Sequence, residues 1–201
     1  MTAATTSALM SGIVTAAASF GRGDERAWLE AGDRAPDFSL HGSDGRLYRL
    51  ADLVGRHVVV LAWFPKAFTG GCATECRSIG SKGLDLRRLD VRHFGASVDS
   101  SSTNARFAES LGIDYPILSD PTKQVARAYG VLGRSGYASR WTFYIGMDGR
   151  VLDIDRHVHS SSHGADVVAK LEALGIPESG GDTSRIGRAV VDPPRTGLQG
   201  A

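Results

Sequence analysis

The chain has 201 residues, of which 42% are hydrophobic and 22% are charged, and its formal net charge is +1. A near-neutral chain with scattered arginines argues against a nucleic-acid partner, and the longest apolar run, residues 58–64, is too short to cross a bilayer. Two cysteines cannot build the disulfide framework of a small secreted protein, so these bulk features predict one globular domain.

The two ends of the chain differ in composition from its middle. Residues 1–25 contain few large apolar side chains, and residues 177–201 are rich in Gly, Pro and Arg. We expect both to be flexible tails around a domain over residues 26–176. Residues 8–20 are mildly apolar and end in small residues, as an export signal does, but no Lys or Arg precedes them. We therefore predict a cytoplasmic protein, with export as the alternative.

Strand and helix signals alternate along the domain. A hairpin is predicted around the Asp44-Gly45 turn, and the almost wholly apolar run 57–64 is typical of a strand buried on both faces. Apolar residues at helical spacing from Cys76 to Leu86 predict one amphipathic helix after this strand. Further on, we predict a strand at 91–99, a helix at 103–112, a short strand at 115–120, a helix at 122–130, a hairpin at 140–158 and a helix at 164–175.

The order of these elements indicates the fold class. Strand–helix–strand units imply a parallel core, and the late hairpin adds antiparallel strands. The prediction is an α/β fold with a central mixed sheet, helices on both faces and an N-terminal β-hairpin. In such sheets, ligands and chemistry gather at the carboxyl ends of the parallel strands, which is where Cys72 falls.

Both cysteines, Cys72 and Cys76, lie in the helix that follows the first central strand. A thiol reacts as its thiolate, and three features favour that form here. The helix N-terminus favours an anion, and Thr69 can turn its hydroxyl toward the Cys72 sulfur. Arg140 opens a late strand that could lie beside the first central strand, and its guanidinium always carries a positive charge.

Each of these residues also has a simpler interpretation. Thr69 could only cap the helix, Pro65 could only end the strand, and Arg140 could be a surface arginine. Glu75 could be a favourable acid in the first helical turn, and Cys76 could be a buried small hydrophobe. Taken singly, the simpler interpretations are the commoner ones. Their combination in one strand–loop–helix unit favours a reactive site.

The segment PKAFTGGC resembles the peroxidatic-cysteine loop of the peroxiredoxins, with Pro65, Thr69 and Cys72 in a P-x-x-x-T-x-x-C pattern. Residues 32–40 are similar to the segment with which the domain usually begins in this family. The segment RWTFYIGMDG resembles the strand that carries the family's active-site arginine, which corresponds to Arg140. The resemblance is closest to the Q-type, or bacterioferritin-comigratory, subgroup.

The resemblance implies a thioredoxin-like fold and a peroxidase for hydrogen peroxide and organic hydroperoxides. Cys72 would be the peroxidatic cysteine, Thr69 and Arg140 would stabilise the leaving oxygen, and Pro65 would shield the sulfenic acid. Glu75 matches an acid found in many members of the family and would contact the residues that surround the cysteine. The resemblance implies no metal and no organic cofactor. The reductant would be a thioredoxin-like or other thiol, and the protein would be a monomer or a homodimer.

The sequence departs from the family pattern at two positions. Gly70 replaces the usual proline after the threonine, and Cys76 lies four residues after Cys72, whereas the Q-type resolving cysteine commonly lies five after. Positions i and i+4 of an intact helix have Cβ atoms about 5–6 Å apart, and a disulfide needs about 3.8 Å. Cys76 could therefore resolve Cys72 only if the first turn unwinds. A one-cysteine cycle with an external thiol stays open.

A second class of function is the alternative. A C-x-x-x-C pair on a thioredoxin-like fold, with a downstream histidine, also resembles the SCO-type copper-delivery proteins. His157 and His159 alternate on a predicted strand and His163 follows, so thiolate and imidazole ligands exist. These histidines could equally form a solvated strand end, and a cation that faces the thiols would oppose copper binding. The peroxidase is therefore favoured.

Overall fold

The computed structural model describes residues 28–178. Its elements in chain order are β1 (Ser39–Gly42), β2 (Leu47–Arg49), α1 (Leu50–Leu53), β3 (Val58–Trp63), α2 (Gly70–Gly80), α3 (Gly83–Arg88), β4 (Val91–Ser97), α4 (Ser101–Leu111), β5 (Ile117–Ser119), α5 (Gln124–Ala128), β6 (Thr142–Ile145), β7 (Val151–Asp155) and α6 (His163–Ala173). The predicted extension over residues 1–25 and the predicted tail beyond residue 178 lie outside the described residues.

The strands form one seven-stranded mixed sheet in the order β2-β1-β5-β4-β3-β6-β7. β3 is parallel to β4, and β4 is parallel to β5, whereas β6 runs antiparallel to β3 with Thr142 opposite Ala62. The hairpins β1–β2 and β6–β7 lie at the two edges of the sheet. The predicted α/β class, the mixed central sheet and the N-terminal hairpin are confirmed.

Strand β3 is buried along its whole length because helices cover both faces of the sheet. Its odd-numbered residues pack with α1 and α5, and its even-numbered residues pack with α2, α3 and α6. The apolar run 57–64 therefore lacks the alternation of a half-exposed strand. No helix within residues 28–178 combines the length and the apolar character needed to cross a membrane.

The helix predicted from Cys76 through Leu86 is interrupted in the structure. α2 ends at Gly80 and α3 begins at Gly83. Each glycine in a helix costs about 1 kcal/mol relative to alanine, so two glycines this close weaken the run at one point. The apolar spacing continues through the break because Ile79 and Leu86 pack into the same cluster. The single turn α1 also has no counterpart among the predicted elements.

Helices α2 and α6 approach each other closely at Gly164. A Cβ atom added to Gly164 would overlap the carbonyl oxygen of Ser78, so only glycine fits this position. The Gly164 N–H donates to Ser78 Oγ at 2.9 Å, and that hydroxyl donates to the Ser161 carbonyl oxygen at 3.1 Å. These contacts fix the start of α6 against the second half of α2.

Gly164→Ala should lower the free energy of unfolding by about 3 kcal/mol or more, because the added methyl group overlaps a backbone oxygen. Gly70→Ala is the matched control, since it also lies in a helix but has open space at its Cβ position. We expect the control to stay within about 1 kcal/mol of wild type, on the stabilising side. Urea unfolding followed by circular dichroism measures both variants. Equal stabilities would show that α6 can shift away from α2 at little cost.

Candidate active site

Cys72 lies beyond the carboxyl end of strand β3, where the following loop turns into α2. It is the third residue of that helix, after Gly70 and Gly71. The first N–H groups of a helix have no partner within it and make this end electropositive. The Cys72 side chain is only 1% exposed and packs in a cluster with Phe64 and Phe107. The structure thus places a shielded thiol at a helix end that favours negative charge.

The loop between β3 and α2 is tied to the end of strand β4. Asp99 Oδ2 accepts hydrogen bonds from the Ala67 N–H at 2.8 Å and from Ser97 Oγ at 3.0 Å. Phe68 has a φ of 62°, which is uncommon for a residue other than glycine, and it directs the chain into the helix. Pro65 is half-buried at the start of the loop. These contacts hold the loop that precedes Cys72 against the end of β4.

Thr69 is the residue immediately before α2. Its backbone carbonyl accepts from the Ala73 N–H at 2.9 Å, but its side chain makes no capping hydrogen bond. The hydroxyl donates to the Lys66 carbonyl oxygen at 3.0 Å. From the sequence, this hydroxyl could turn toward the Cys72 sulfur or cap the helix, and in the structure it does neither. The loop turns so that the Lys66 carbonyl oxygen lies beside the Thr69 hydroxyl and accepts its hydrogen bond.

Arg140 lies two residues before strand β6, and the antiparallel pairing of β6 with β3 brings it to the carboxyl end of β3. Its Nη2 donates to Cys72 Sγ at 3.4 Å. A Cβ atom on Gly71 would lie 3.4 Å from the same nitrogen, so the glycine leaves room for the guanidinium. The structure therefore brings together the thiol and the arginine that the sequence analysis paired.

Glu75 lies in the second turn of α2 and is 1% exposed, so its simpler interpretation as a favourable first-turn acid is wrong. Its Oε2 pairs with Arg140 Nη1, and its Oε1 lies 3.1 Å from His163 Nδ1. His163 is fully buried, and its Nε2 lies 2.8 Å from Thr142 Oγ1. The guanidinium thus contacts the buried carboxylate through one nitrogen and the sulfur through another.

Cys76 lies one helical turn after Cys72 and is also buried. Burial raises the pKa of Cys76 to about 12, and the Tyr115 hydroxyl lowers it by a smaller amount. That hydroxyl also donates to the Cys76 carbonyl oxygen at 3.0 Å. Both thiols are free, and the helix is continuous from Gly70 to Gly80. In this conformation Cys76 is a protonated core thiol, and a bond to Cys72 requires the first turn to open.

The downstream histidines do not form the ligand set that copper delivery needs. Strand β7 ends at Asp155, so His157 and His159 lie in the exposed segment beyond it and not on a strand face. His163 is fully buried, and its two ring nitrogens face Glu75 and Thr142 inside the protein. Within residues 28–178, no group of three His, Cys, Asp or Glu side chains could hold a metal ion.

The contacts of His163 and Thr142 are the part of the site that the sequence analysis missed. A histidine that follows three serines has the local pattern of a polar segment, and nothing nearby indicates that it is buried. The contact joins α2 to α6, which are far apart in the sequence. The one local signal is Gly164, which allows the close approach of the two helices.

The chain is similar to known proteins over most of the domain. The family model described as AhpC/TSA family matches residues 31–154. The chain is 32% identical over 142 residues to Peroxiredoxin Bcp from Escherichia coli K12, covering 67% of this chain and 90% of that protein. Its structure is similar to peroxidoxin BcpB from Mycobacterium tuberculosis, with a TM-score of 0.67, 33% identity, and coverage of 72% of this chain and 97% of that one.

A third similarity is to the bacterioferritin comigratory protein of Xanthomonas campestris, whose structures are described for its alkyl peroxide reduction activity. The TM-score is 0.65 at 27% identity, with coverage of 74% of this chain and 98% of that one. The thioredoxin-like sheet, with an arginine-bound thiol at a helix start, defines a class of thiol oxidoreductases. With these similarities, the chain belongs to the AhpC/TSA family, the peroxiredoxins, and its relatives are of the Bcp and Q type.

Proposed function

We propose that this protein is a thiol-dependent peroxidase for hydrogen peroxide and organic hydroperoxides. The observation that carries the proposal is the 3.4 Å contact between Arg140 Nη2 and Cys72 Sγ at the start of α2. A cation that cannot lose its proton stabilises the thiolate and attracts the polar peroxide. Membership of the peroxiredoxin family supports the same chemistry.

The first step is attack by the Cys72 thiolate on one peroxide oxygen. The O–O bond breaks as the S–O bond forms, and Cys72 becomes a sulfenic acid. The other oxygen leaves as alkoxide or hydroxide and takes a proton from solvent. Arg140 and the N–H groups at the start of α2 stabilise the charge on that oxygen. Thr69 can contribute once its hydroxyl leaves the Lys66 carbonyl, and Pro65 limits the access of water to the sulfenic acid.

The second step is resolution by Cys76 after the first turn of α2 opens. The Cys76 thiol attacks the sulfenic sulfur, the S–O bond breaks, water leaves and a Cys72–Cys76 disulfide forms. Gly70 and Gly71 support this route, since glycine lowers the stability of a helical turn. A thioredoxin-like or other thiol then reduces the disulfide. We propose that the cycle runs in the cytoplasm, where thiols are kept reduced, in a monomer or a homodimer.

Intact-mass measurement after one equivalent of hydrogen peroxide tests the function and the role of Cys76 together. Wild-type protein should lose two hydrogens and retain no alkylatable thiol. Cys76→Ser should gain one oxygen on Cys72 and oxidise further in excess peroxide, because no second thiol intercepts the sulfenic acid. Circular dichroism of the wild type should show lower helix content after oxidation, since the disulfide is incompatible with a regular first turn.

Three outcomes separate the alternatives. An oxygen on wild-type Cys72, with Cys76 still alkylatable, would contradict the disulfide cycle and leave a peroxidase that uses an external thiol. No mass change at either cysteine would contradict the peroxidase. Stoichiometric binding of Cu(I) by a chain that does not react with peroxide would favour copper delivery.

A further inference from the structure

His163 is a buried side chain to which the proposed peroxide cycle assigns no role. It is the first residue of α6, and it is fully buried. Its Nδ1 lies 3.1 Å from Glu75 Oε1, and its Nε2 lies 2.8 Å from Thr142 Oγ1. Burying a polar ring costs free energy unless its nitrogens have partners. Nε2 has a hydrogen-bond partner in Thr142, and Nδ1 faces the Glu75 carboxylate.

These partners fix which ring nitrogen carries the proton. Glu75 is paired with Arg140, and an ionised carboxylate only accepts hydrogen bonds, so His163 Nδ1, which faces Glu75 Oε1 at 3.1 Å, is the ring nitrogen that can donate to it. Burial lowers the pKa of His163 to about 4, so the ring is neutral at pH 7. The unprotonated Nε2 then accepts from the Thr142 hydroxyl. The Thr142 hydroxyl can donate to Nε2, so it supports the tautomer whose N–H faces Glu75.

The other end of this series of contacts is the sulfur of Cys72. Glu75 pairs with Nη1 of Arg140, and Nη2 of the same guanidinium donates to Cys72 Sγ at 3.4 Å. A guanidinium is planar and rigid, so the direction of one nitrogen determines the direction of the other. The Arg140 side chain is 23% exposed, so without Glu75 it has room to turn toward solvent.

Helix α6 presents the imidazole from a fixed position. Gly164, the residue after His163, lies against the backbone of Ser78 and donates to its hydroxyl at 2.9 Å. Helix α2, which contains Ser78, also carries Cys72 and Glu75. The backbone that carries the ring is therefore held at a fixed distance from the helix that carries Glu75.

We propose that His163 is a positioning residue, which donates to Glu75, holds that carboxylate on Arg140 and so directs Arg140 Nη2 at the cysteine sulfur. It acts through Glu75 and Arg140 and does not touch the reacting atoms. Its effect on turnover rests on the proposed function, whereas its effect on the thiolate can be measured without peroxide.

His163→Asn and His163→Gln form a matched pair, because the amide nitrogen of Asn takes the place of Nδ1 and that of Gln takes the place of Nε2. Asn can still donate to Glu75, whereas Gln reaches Thr142 and leaves Glu75 without this donor. The measurement is the rate at which iodoacetamide alkylates Cys72 at pH 7, followed by intact mass in a Cys76→Ser background. We expect the Gln variant to react about ten-fold more slowly than its parent and the Asn variant to stay within about three-fold.

Thermal unfolding of the same proteins separates positioning from packing. If His163 only filled space, Asn and Gln would lower stability and reactivity alike, and equal alkylation rates in the two variants would overturn the proposal. A Gln variant as reactive as its parent would also overturn it. Thr142→Val keeps the shape of the side chain and removes the partner of Nε2. We expect about five-fold slower alkylation in this variant, and an unchanged rate would overturn the tautomer step.

The two proposals fail in distinguishable ways. If the protein is not a peroxidase, wild type will not consume peroxide, but the order of alkylation rates among the His163 variants will remain. If His163 does not position Arg140, wild type will consume peroxide, but Asn and Gln will give the same alkylation rate. For a peroxidase, kcat/KM for hydrogen peroxide should fall in the Gln variant by the same factor as the alkylation rate.

Discussion

Cys72→Ser should consume hydrogen peroxide no faster than buffer, a loss of roughly 10³-fold or more. A serine hydroxyl is not ionised near neutral pH and has no base placed to activate it, so it cannot attack the O–O bond. The side chain is almost fully buried and the exchange replaces only sulfur by oxygen, so we expect the fold to persist. The measurement is the disappearance of peroxide with dithiothreitol as the reductant.

The control for this variant is Cys76→Ser, which makes the same atomic change at a second buried cysteine. It should retain the first oxidation of Cys72 in a single turnover, because in the proposed cycle Cys76 acts only after the sulfenic acid has formed. A Cys72→Ser protein that keeps more than about 1% of wild-type consumption would show that the reacting atom lies elsewhere. Circular dichroism of both variants tests whether any loss of rate comes from a loss of fold.

Arg140→Met should lower kcat/KM for peroxide by roughly 10² to 10³-fold, the usual effect of removing one donor that stabilises charge in a transition state. The guanidinium donates to Cys72 Sγ at 3.4 Å, and its charge is placed to stabilise both the thiolate and the leaving oxygen. Methionine keeps most of the length of the side chain and removes the charge. Alkylation of Cys72 by iodoacetamide at pH 7 should slow as well, since the sulfur loses its cationic neighbour.

Arg156→Met is a matched control for the arginine. Arg156 stacks on the Trp141 ring at 4.9 Å and donates to the Leu29 carbonyl oxygen at 2.7 Å, and it makes no contact with the sulfur. We expect this variant to turn over at near the wild-type rate.

The kcat/KM of Arg140→Lys should lie between those of wild type and Arg140→Met, because an ammonium group cannot contact the sulfur and Glu75 through separate nitrogens. Normal turnover in Arg140→Met would remove the arginine from the mechanism.

The sequence predicts best those elements whose pattern of apolar residues directly reflects which of their faces are buried. The run 57–64 predicts a buried central strand because helices cover both faces of the sheet. The break between α2 and α3 is harder to predict, since Ile79 and Leu86 pack into one cluster and keep helical spacing across it. There the backbone cost of Gly80 and Gly83 outweighs a side-chain pattern that favours continuity.

Some contacts of the site can likewise be predicted from the sequence, and others depend on how distant segments pack. The pairing of Cys72 with Arg140 follows from the order of the strands, because a hairpin that lies beside β3 carries residue 140 to its carboxyl end. The buried contact between Glu75 and His163 could not be predicted in this way. It depends on the angle and distance between α2 and α6, which no periodicity in either helix encodes.

The close contact at Gly164 gives helix α2 one anchored end and one that can fray. Ser78 is held against α6, whereas Gly70 and Gly71 begin the helix with open space around Gly70. Local unfolding should therefore propagate from Gly70 and stop before Ser78, so the amides of the first turn should exchange with solvent ahead of those near Ser78. In the proposed disulfide cycle, the anchored half would be the template on which the first turn refolds after each round of reduction.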